Sequence, residues 1–240
     1  MKKIRKRKIR KKDKKKPRKF FLKLILLIIL ALILLIIAVL TSLDYSKEKY
    51  YTGNLHTHTY ASDGKMSYEE VINKAISLGF DFIAITDHNK IDSEVREKCL
   101  QEKRIFCIIG EEISTTKGHM LAIGIENEIT QGLSPEETIS KIHEQNGIAI
   151  PAHPGRKSIG LSIEEIKNLN VDAVECHIDE NGEYNYSCNL LPEFPHVYNS
   201  DAHNKEQLKQ LANICFLKNL KNLKQAIKEN KCSQLRIKDK

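Results

Sequence analysis

Asp81-Phe82-Ile83-Ala84-Ile85-Thr86-Asp87-His88 is a short apolar run that ends on two residue types able to bind a cation or move a proton. Unbroken apolar character suits a strand covered on both faces, as in a parallel sheet. The same pattern recurs on either side. Phe106-Cys107-Ile108-Ile109, Met120-Leu121-Ala122-Ile123, Ile148-Ala149-Ile150 and Val171-Asp172-Ala173-Val174 read as further strands. Between them, Ser67-Tyr68-Glu69-Glu70, Ser134-Pro135-Glu136-Glu137 and Ser162-Ile163-Glu164-Glu165 each place Glu three residues after Ser. That is the spacing of a reciprocal helix cap, and Pro135 adds the residue preferred at a first helical position. Gly79 and Gly147 fall where the first two of these helices should stop. Alternating strands and helices predict an α/β fold with a parallel sheet, open or closed into a barrel. Roughly 190 residues remain after the N-terminal region, which fits a reduced barrel better than an eight-fold one.

The N-terminal region has a different character. Of the 39 Lys and Arg, 15 lie within residues 1–23, with Asp13 the single acid there. The remainder carries 24 basic against 30 acidic residues, so the net charge of +8 describes a tail on an acidic body. The overall basicity therefore says little about what that body binds. Residues 24–40 are apolar without interruption, and Thr41-Ser42-Leu43 extends the run to 20 residues. At about 1.5 Å per residue this spans the roughly 30 Å core of a bilayer. A cleavable signal peptide has a shorter apolar region and a small-x-small site, which Ala38-Val39-Leu40 does not supply. The chain therefore reads as a basic cytoplasmic tail (1–23), a transmembrane signal anchor (24–43), a linker (44–50) and one catalytic domain (51–240) beyond the membrane. The lipid bilayer is one expected partner, and no dedicated protein partner is implied.

The six cysteines form no C-x-x-C pair, and outside the cytoplasm disulfides are permitted. Spacing does not pair them. Cys107 and Cys215 sit in apolar runs and read as buried thiols.

Histidines and carboxylates gather at predicted strand ends. His56-Thr57-His58 places two imidazoles on one side of an extended segment. Asp87 and His88 follow the second run, and Glu111 and Glu112 follow Ile108-Ile109-Gly110. His119 opens a strand, His153 follows Ile148-Ala149-Ile150-Pro151, and Asp201 and His203 follow His196-Val197-Tyr198. In parallel α/β folds functional groups meet at the carboxyl ends of the strands. Imidazoles and carboxylates without thiolates suit zinc, manganese or iron. Arg156 and Lys157, in the loop after Pro154-Gly155, are candidate phosphate contacts. His177, two residues after Glu175, reads as a rim or surface residue, His143 as an ordinary helical residue, and His196 is given no role.

Asn54-Leu55-His56-Thr57-His58-Thr59 with Ser62-Asp63-Gly64, Thr86-Asp87-His88-Asn89, Gly110-Glu111-Glu112, Gly118-His119, Pro151-Ala152-His153-Pro154 and Ser200-Asp201-Ala202-His203 together resemble the PHP (polymerase and histidinol phosphatase) family from about residue 51 to 203. The resemblance implies a distorted seven-stranded (β/α) TIM-like barrel with two or three divalent metal ions. It implies the ligand set His56, His58, Asp63, His88, Glu111, His119, His153, Asp201 and His203. Glu111 is then the expected bridge between two cations about 3.5–4 Å apart, with Asp201 a further catalytic carboxylate and Asp87 orienting a ligand histidine. The expected reaction is hydrolysis of a phosphomonoester or phosphodiester by a metal-bridging hydroxide. Exported nucleotides, nucleic-acid fragments and envelope phosphates are the expected substrates. Hydrolysis of a non-phosphate bond is the alternative within enzymes. A non-catalytic membrane-tethered sensor is disfavoured, because a 23-residue basic tail has no room for an output domain.

Overall fold

The computed structural model describes residues 17–44, 48–178 and 184–237. The chain divides into two compact units, Met1–Lys47 and Glu48–Lys240. In the first, helix α1 (Pro17–Asp44) exposes the side chains of Phe20–Val39 on every face. A helix satisfies its backbone polar groups internally, as a membrane span must. By length and composition this segment is a candidate span or a signal sequence.

The second unit is α/β. In chain order it comprises β1 (Lys49–Asn54), α2 (Tyr68–Ser77), β2 (Phe82–Ile85), α3 (Ser93–Gln101), β3 (Phe106–Ser114), β4 (His119–Ile123), α4 (Pro135–Glu144), β5 (Ile148–Pro151) and α5 (Ile163–Lys167). It continues with β6 (Val174–Ile178), β7 (Tyr184–Asn185), β8 (His196–Asn199), α6 (Lys205–Leu208), β9 (Ala212–Leu217), α7 (Leu223–Lys228) and β10 (Cys232–Leu235). Seven strands form one curled half-barrel sheet in the order β10-β9-β1-β2-β3-β4-β5, and β7-β6-β8 form a second. All three serine caps close as reciprocal boxes at α2, α4 and α5.

The sheet is mixed, which corrects the all-parallel expectation. β1, β2 and β3 run parallel, as do β6 and β8, but β4 is antiparallel to both β3 and β5, and β9 is antiparallel to β1. The reason is chain length: only residues 115–118 separate β3 from β4, and a connection that short makes a hairpin, never a crossover. The run read as a strand at 171–174 is also displaced, since β6 begins at Val174. Asp172 stays outside the strand because its carboxylate accepts hydrogen bonds from Ala149 N (2.8 Å) and His143 Nε2 (2.8 Å) and pairs with Lys228 Nζ (2.8 Å). At the end of α4 it is Asn146, not Gly147, that takes the left-handed conformation (φ 56°). Gly147 is needed for closeness, because a Cβ there would lie 2.6 Å from Ile125 Cγ2.

Alternation along the strands divides the apolar side chains into an inner and an outer set. Phe82, Ala84, Leu121, Ile123, Ile148 and Ile150 pack inside with Leu55 and Val197, with α7 contributing Leu223 and Ile227. Ile83 and Ile85 pack with α2, and Met120 and Ala122 with α4 and α5. Both faces are therefore buried, as the unbroken apolar runs required. The cysteines pair as Cys99–Cys107, Cys176–Cys188 and Cys215–Cys232, so Cys107 and Cys215 are not the free thiols expected from their apolar settings. A half-cystine packs as well in an apolar site, and local sequence does not reveal a partner on the neighbouring strand.

Burial pushes the Asp172 carboxyl up, but Lys228, the Ala149 N–H and His143 outweigh it and hold the group below its ordinary range. A depressed folded-state value contributes stability above the unfolded value of about 3.9, and that contribution is lost as pH falls through the folded value. Asp172→Ala should cost about 1–3 kcal/mol at pH 7, seen as a thermal midpoint lower by roughly 2–10 °C. The deficit against the parent protein should shrink in melts below about pH 4.

Candidate metal centre

The cluster forms on one rim of the curled sheet, and the backbone delivers it in pairs. Residues 56–58 continue from β1 and hydrogen-bond to residues 201–203 beyond β8: His58 N donates to Ala202 O (2.9 Å) and Ala202 N to His56 O (3.1 Å). The two spaced pairs, His56/His58 and Asp201/His203, thus lie side by side. His88 follows β2 and bridges to Glu112 on β3. His119 begins β4, and because that strand runs antiparallel, its start lies on the rim where its parallel neighbours end. His153 follows β5. Both His153 (φ 33°) and Asp201 (φ 47°) take the left-handed conformation that non-glycine residues disfavour. Such local strain persists where surrounding structure imposes it, and it clusters at functional sites.

The centre of the cluster is Glu112, not Glu111. Oε2 of Glu112 lies 3.0 Å from His56 Nε2, 3.2 Å from His58 Nε2 and 3.4 Å from His88 Nδ1, while Oε1 lies 2.9 Å from both His119 Nδ1 and His153 Nε2. Glu112 shares the inward parity of Ile108 on β3, and Glu111 points to the opposite face. There the Glu111 Oε2 accepts from Ile129 N (3.0 Å), and burial pushes its carboxyl up to about 7 against that hydrogen bond. The other eight expected ligands come together. Asp201 Oδ1 is 3.2 Å from His56 Nε2 and 3.4 Å from His58 Nε2, and Asp63 Oδ2 is 3.2 Å from His203 Nε2 and 3.7 Å from His88 Nε2.

Three overlapping donor groups result, each able to offer atoms within 4.8 Å of one another: His56, His58, Glu112 and Asp201; His88, Glu112 and His119; His58, Asp63, His88 and His203. His56, His58, His153 and Glu112 form a buried floor. His88, His119, His203 and Asp63 are partly exposed and form the mouth.

Other expected roles shift. Among the described residues Asp87 makes no hydrogen bond or ion pair with a ligand imidazole; it accepts from Thr59 N (2.7 Å), Thr59 Oγ1 (2.8 Å) and Ser62 Oγ (2.7 Å), and so holds the loop that carries Asp63. The contact expected of it is made instead by Glu175, whose Oε1 lies 2.8 Å from His56 Nδ1. His177 is buried, not on the rim, with its ring 5.9 Å from that of His153, and burial pushes it down to about 4. Arg156 reaches Asp201, Nη1 to Oδ2 3.5 Å, whereas Lys157 is exposed and makes no ion pair with the cluster among the described residues.

Cations fit this arrangement. A carboxylate has about four lone-pair directions and donates nothing, while a neutral imidazole has one donor. Five imidazole nitrogens around Glu112 exceed what hydrogen bonding satisfies, and among the described residues His58 Nε2 and Asp201 Oδ1 are buried without a hydrogen-bond partner. Burial alone would depress His56 and His58, but Glu175, Glu112 and Asp201 hold His56 well above its ordinary value, and Asp201 and Glu112 hold His58 at about 9. The carboxylates thus demand positive charge at the positions the three donor groups surround. Glu112, with Oε2 toward His56, His58 and His88 and Oε1 toward His119 and His153, has the geometry of a bridge.

Comparison with known proteins agrees. The model of the PHP domain family matches residues 54–229. The uncharacterized protein MJ1587 of Methanocaldococcus jannaschii is 39% identical over 134 residues, covering 51% of this chain and 78% of that protein. In fold the chain is similar to a two-domain protein of Bacteroides vulgatus containing a predicted PHP-like metal-dependent phosphoesterase (TM-score 0.64, 16% identity, 80% of this chain and 66% of that one). It is also similar to endonuclease Q in complex with a 27-mer duplex bearing an abasic lesion (TM-score 0.61, 18% identity, 79% and 58%). The chain therefore spans less than two thirds of either structural relative.

Glu112→Gln should abolish the shared ligand and lower bound manganese or zinc by at least one equivalent in elemental analysis. Glu111→Gln should leave metal content at the parent level, and loss of metal in that variant alone would return the bridge to Glu111.

Proposed function

The chain belongs to the PHP domain family, and from that premise we propose that it is a metal-dependent phosphoesterase hydrolysing a phosphomonoester or phosphodiester outside the cytoplasm. The observation that carries this reading is the set of three donor groups sharing Glu112, His58 and His88 at one cleft. Divalent cations bound there would lower the pKa of water and offset charge on a phosphate in the transition state. Glu112, common to two of those groups, would hold two cations at once.

The chain's own residues set the rest. The buried floor of His56, His58, His153 and Glu112 excludes bulk water and strengthens electrostatic interactions above it. Substrate enters over the exposed side, between Asp63, His88, His119 and His203. Arg156, 33% exposed and anchored by Asp201, stands where its guanidinium can take a phosphate oxygen through charge-assisted hydrogen bonds. Lys157 is exposed and is assigned a contact with the distal part of a substrate. Water adds to phosphorus, the ester oxygen leaves, and the products are an alcohol and a phosphate group.

The extracytoplasmic placement is supported by the basic flank of a 20-residue apolar segment and by the pairing of all six cysteines. Exported nucleotides, nucleic-acid fragments and envelope phosphates are the substrate classes consistent with it.

A reporter fused after Lys240 should be active only outside the cytoplasm, and activity of a cytoplasm-only reporter would overturn the topology. Phosphate release from an aryl phosphate should stop on chelation and return with manganese, zinc or iron. Arg156→Ala should keep its metal but lose roughly 10-fold to 150-fold in kcat/KM, the equivalent of about 1.5–3 kcal/mol. Turnover of cyclic amides in place of all phosphate esters would favour the non-phosphate alternative.

A further inference from the structure

We infer that Glu175 is a positioning residue that sets the tautomer of His56 and pins the backbone of His153, aiming both imidazoles at Glu112. The inference rests on the metal-site reading above. Glu175 is fully buried on β6 and holds three donors. Its Oε1 is 2.8 Å from His56 Nδ1 and accepts from Asn199 Nδ2 (2.9 Å), and its Oε2 accepts from His153 N (2.7 Å).

The direction of each bond follows from its neighbours. His153 N is a backbone donor, and among the described residues it donates to Glu175. The Asn199 amide is oriented by Leu55 N, which donates to Asn199 Oδ1 (3.0 Å), leaving Asn199 Nδ2 to face Glu175. Asn213 Nδ2 donates to the same Oδ1 (3.0 Å) and fixes that orientation from a second side. Glu175 is thus surrounded by donors and acts as an acceptor throughout, so His56 Nδ1 carries its proton toward it. The His56 Nε2 then presents its lone pair toward the space shared with Glu112 Oε2 (3.0 Å) and Asp201 Oδ1 (3.2 Å), where only a cation or a proton is tolerated.

The second contact acts on the other side of Glu112. His153 holds φ 33°, a conformation costly to a side chain bearing a Cβ. The bond from its N–H to Glu175 Oε2 ties that residue to β6, and its Nε2 lies 2.9 Å from Glu112 Oε1. One carboxylate therefore aligns a ligand from the β1 end with a ligand from the β5 end, one toward each oxygen of Glu112. Outer carboxylates that orient ligating histidines are worth about 10-fold to 100-fold in metal affinity.

The test uses the full chain, with manganese and zinc as probes titrated against a competing chelator. Glu175→Gln replaces one acceptor oxygen with an amide donor, and metal affinity should fall roughly 10-fold to 100-fold. The metal-free variant should also melt lower, because its amide donor faces a buried donor, so affinity is read well below its thermal midpoint, where the variant is folded. Independently of any variant, long-range nitrogen–proton NMR of the zinc-loaded parent should show His56 protonated at Nδ1 alone. Protonation at Nε2, or unchanged affinity in a folded Glu175→Gln variant, would overturn the positioning role while leaving the metal centre intact. A parent protein that binds neither metal would overturn both the metal-site reading and this one.

Discussion

A buried carboxylate ringed by five imidazoles is the constraint on which the catalytic unit is organised. Glu112 lies in the interior with almost no access to solvent, and burying an ion there is costly unless charge and hydrogen bonds compensate it. Compensation comes from four separate places in the chain, the ends of β1, β2 and β5 and the start of β4, while the segment after β8 braces residues 56–58. Those segments reach Glu112 together only if the sheet curls, which a mixed sheet of short, strongly twisted strands permits.

The same constraint accounts for irregularities on that rim. Left-handed residues at His153 and Asp201 are conformational costs borne where the chain turns its side chain back toward the cluster. Asp87, buried and committed to Thr59 and Ser62, secures the loop that brings Asp63 over the mouth. A second buried carboxylate, Glu175, lies behind the floor. The contrast between a sealed floor and an open, partly exposed mouth gives the cleft a single direction of approach.

Charge is arranged on a larger scale as well. The acidic body and the basic tail are separated by an apolar segment of 20 residues. At the cleft the guanidinium of Arg156 pairs with Asp201. The three disulfides join β3 to α3, β6 to the turn before β8, and β9 to β10. They cross-link segments close in sequence, so each closes a short loop and adds local rather than global constraint.

Much of this was legible in the residue order. The capping boxes at Ser67, Ser134 and Ser162, the apolar runs of β2 and β5, and the paired motifs at 56–58 and 201–203 carry local signals, because capping, periodicity and ligand spacing act over a few residues. The choice between Glu111 and Glu112 was not local. On a strand buried on both faces, inner and outer positions are equally apolar, so the parity that points Glu112 inward is set only by the register of β3 against β2 and β4. The antiparallel course of β4, the cysteine pairs and the contact of Glu175 with His56 likewise depend on neighbours distant in sequence. By itself the sequence determined the α/β elements, the apolar helix and eight of the residues that meet at the rim. The tertiary structure alone decided which carboxylate stands at their centre, because the face a strand residue occupies is a property of the sheet it joins.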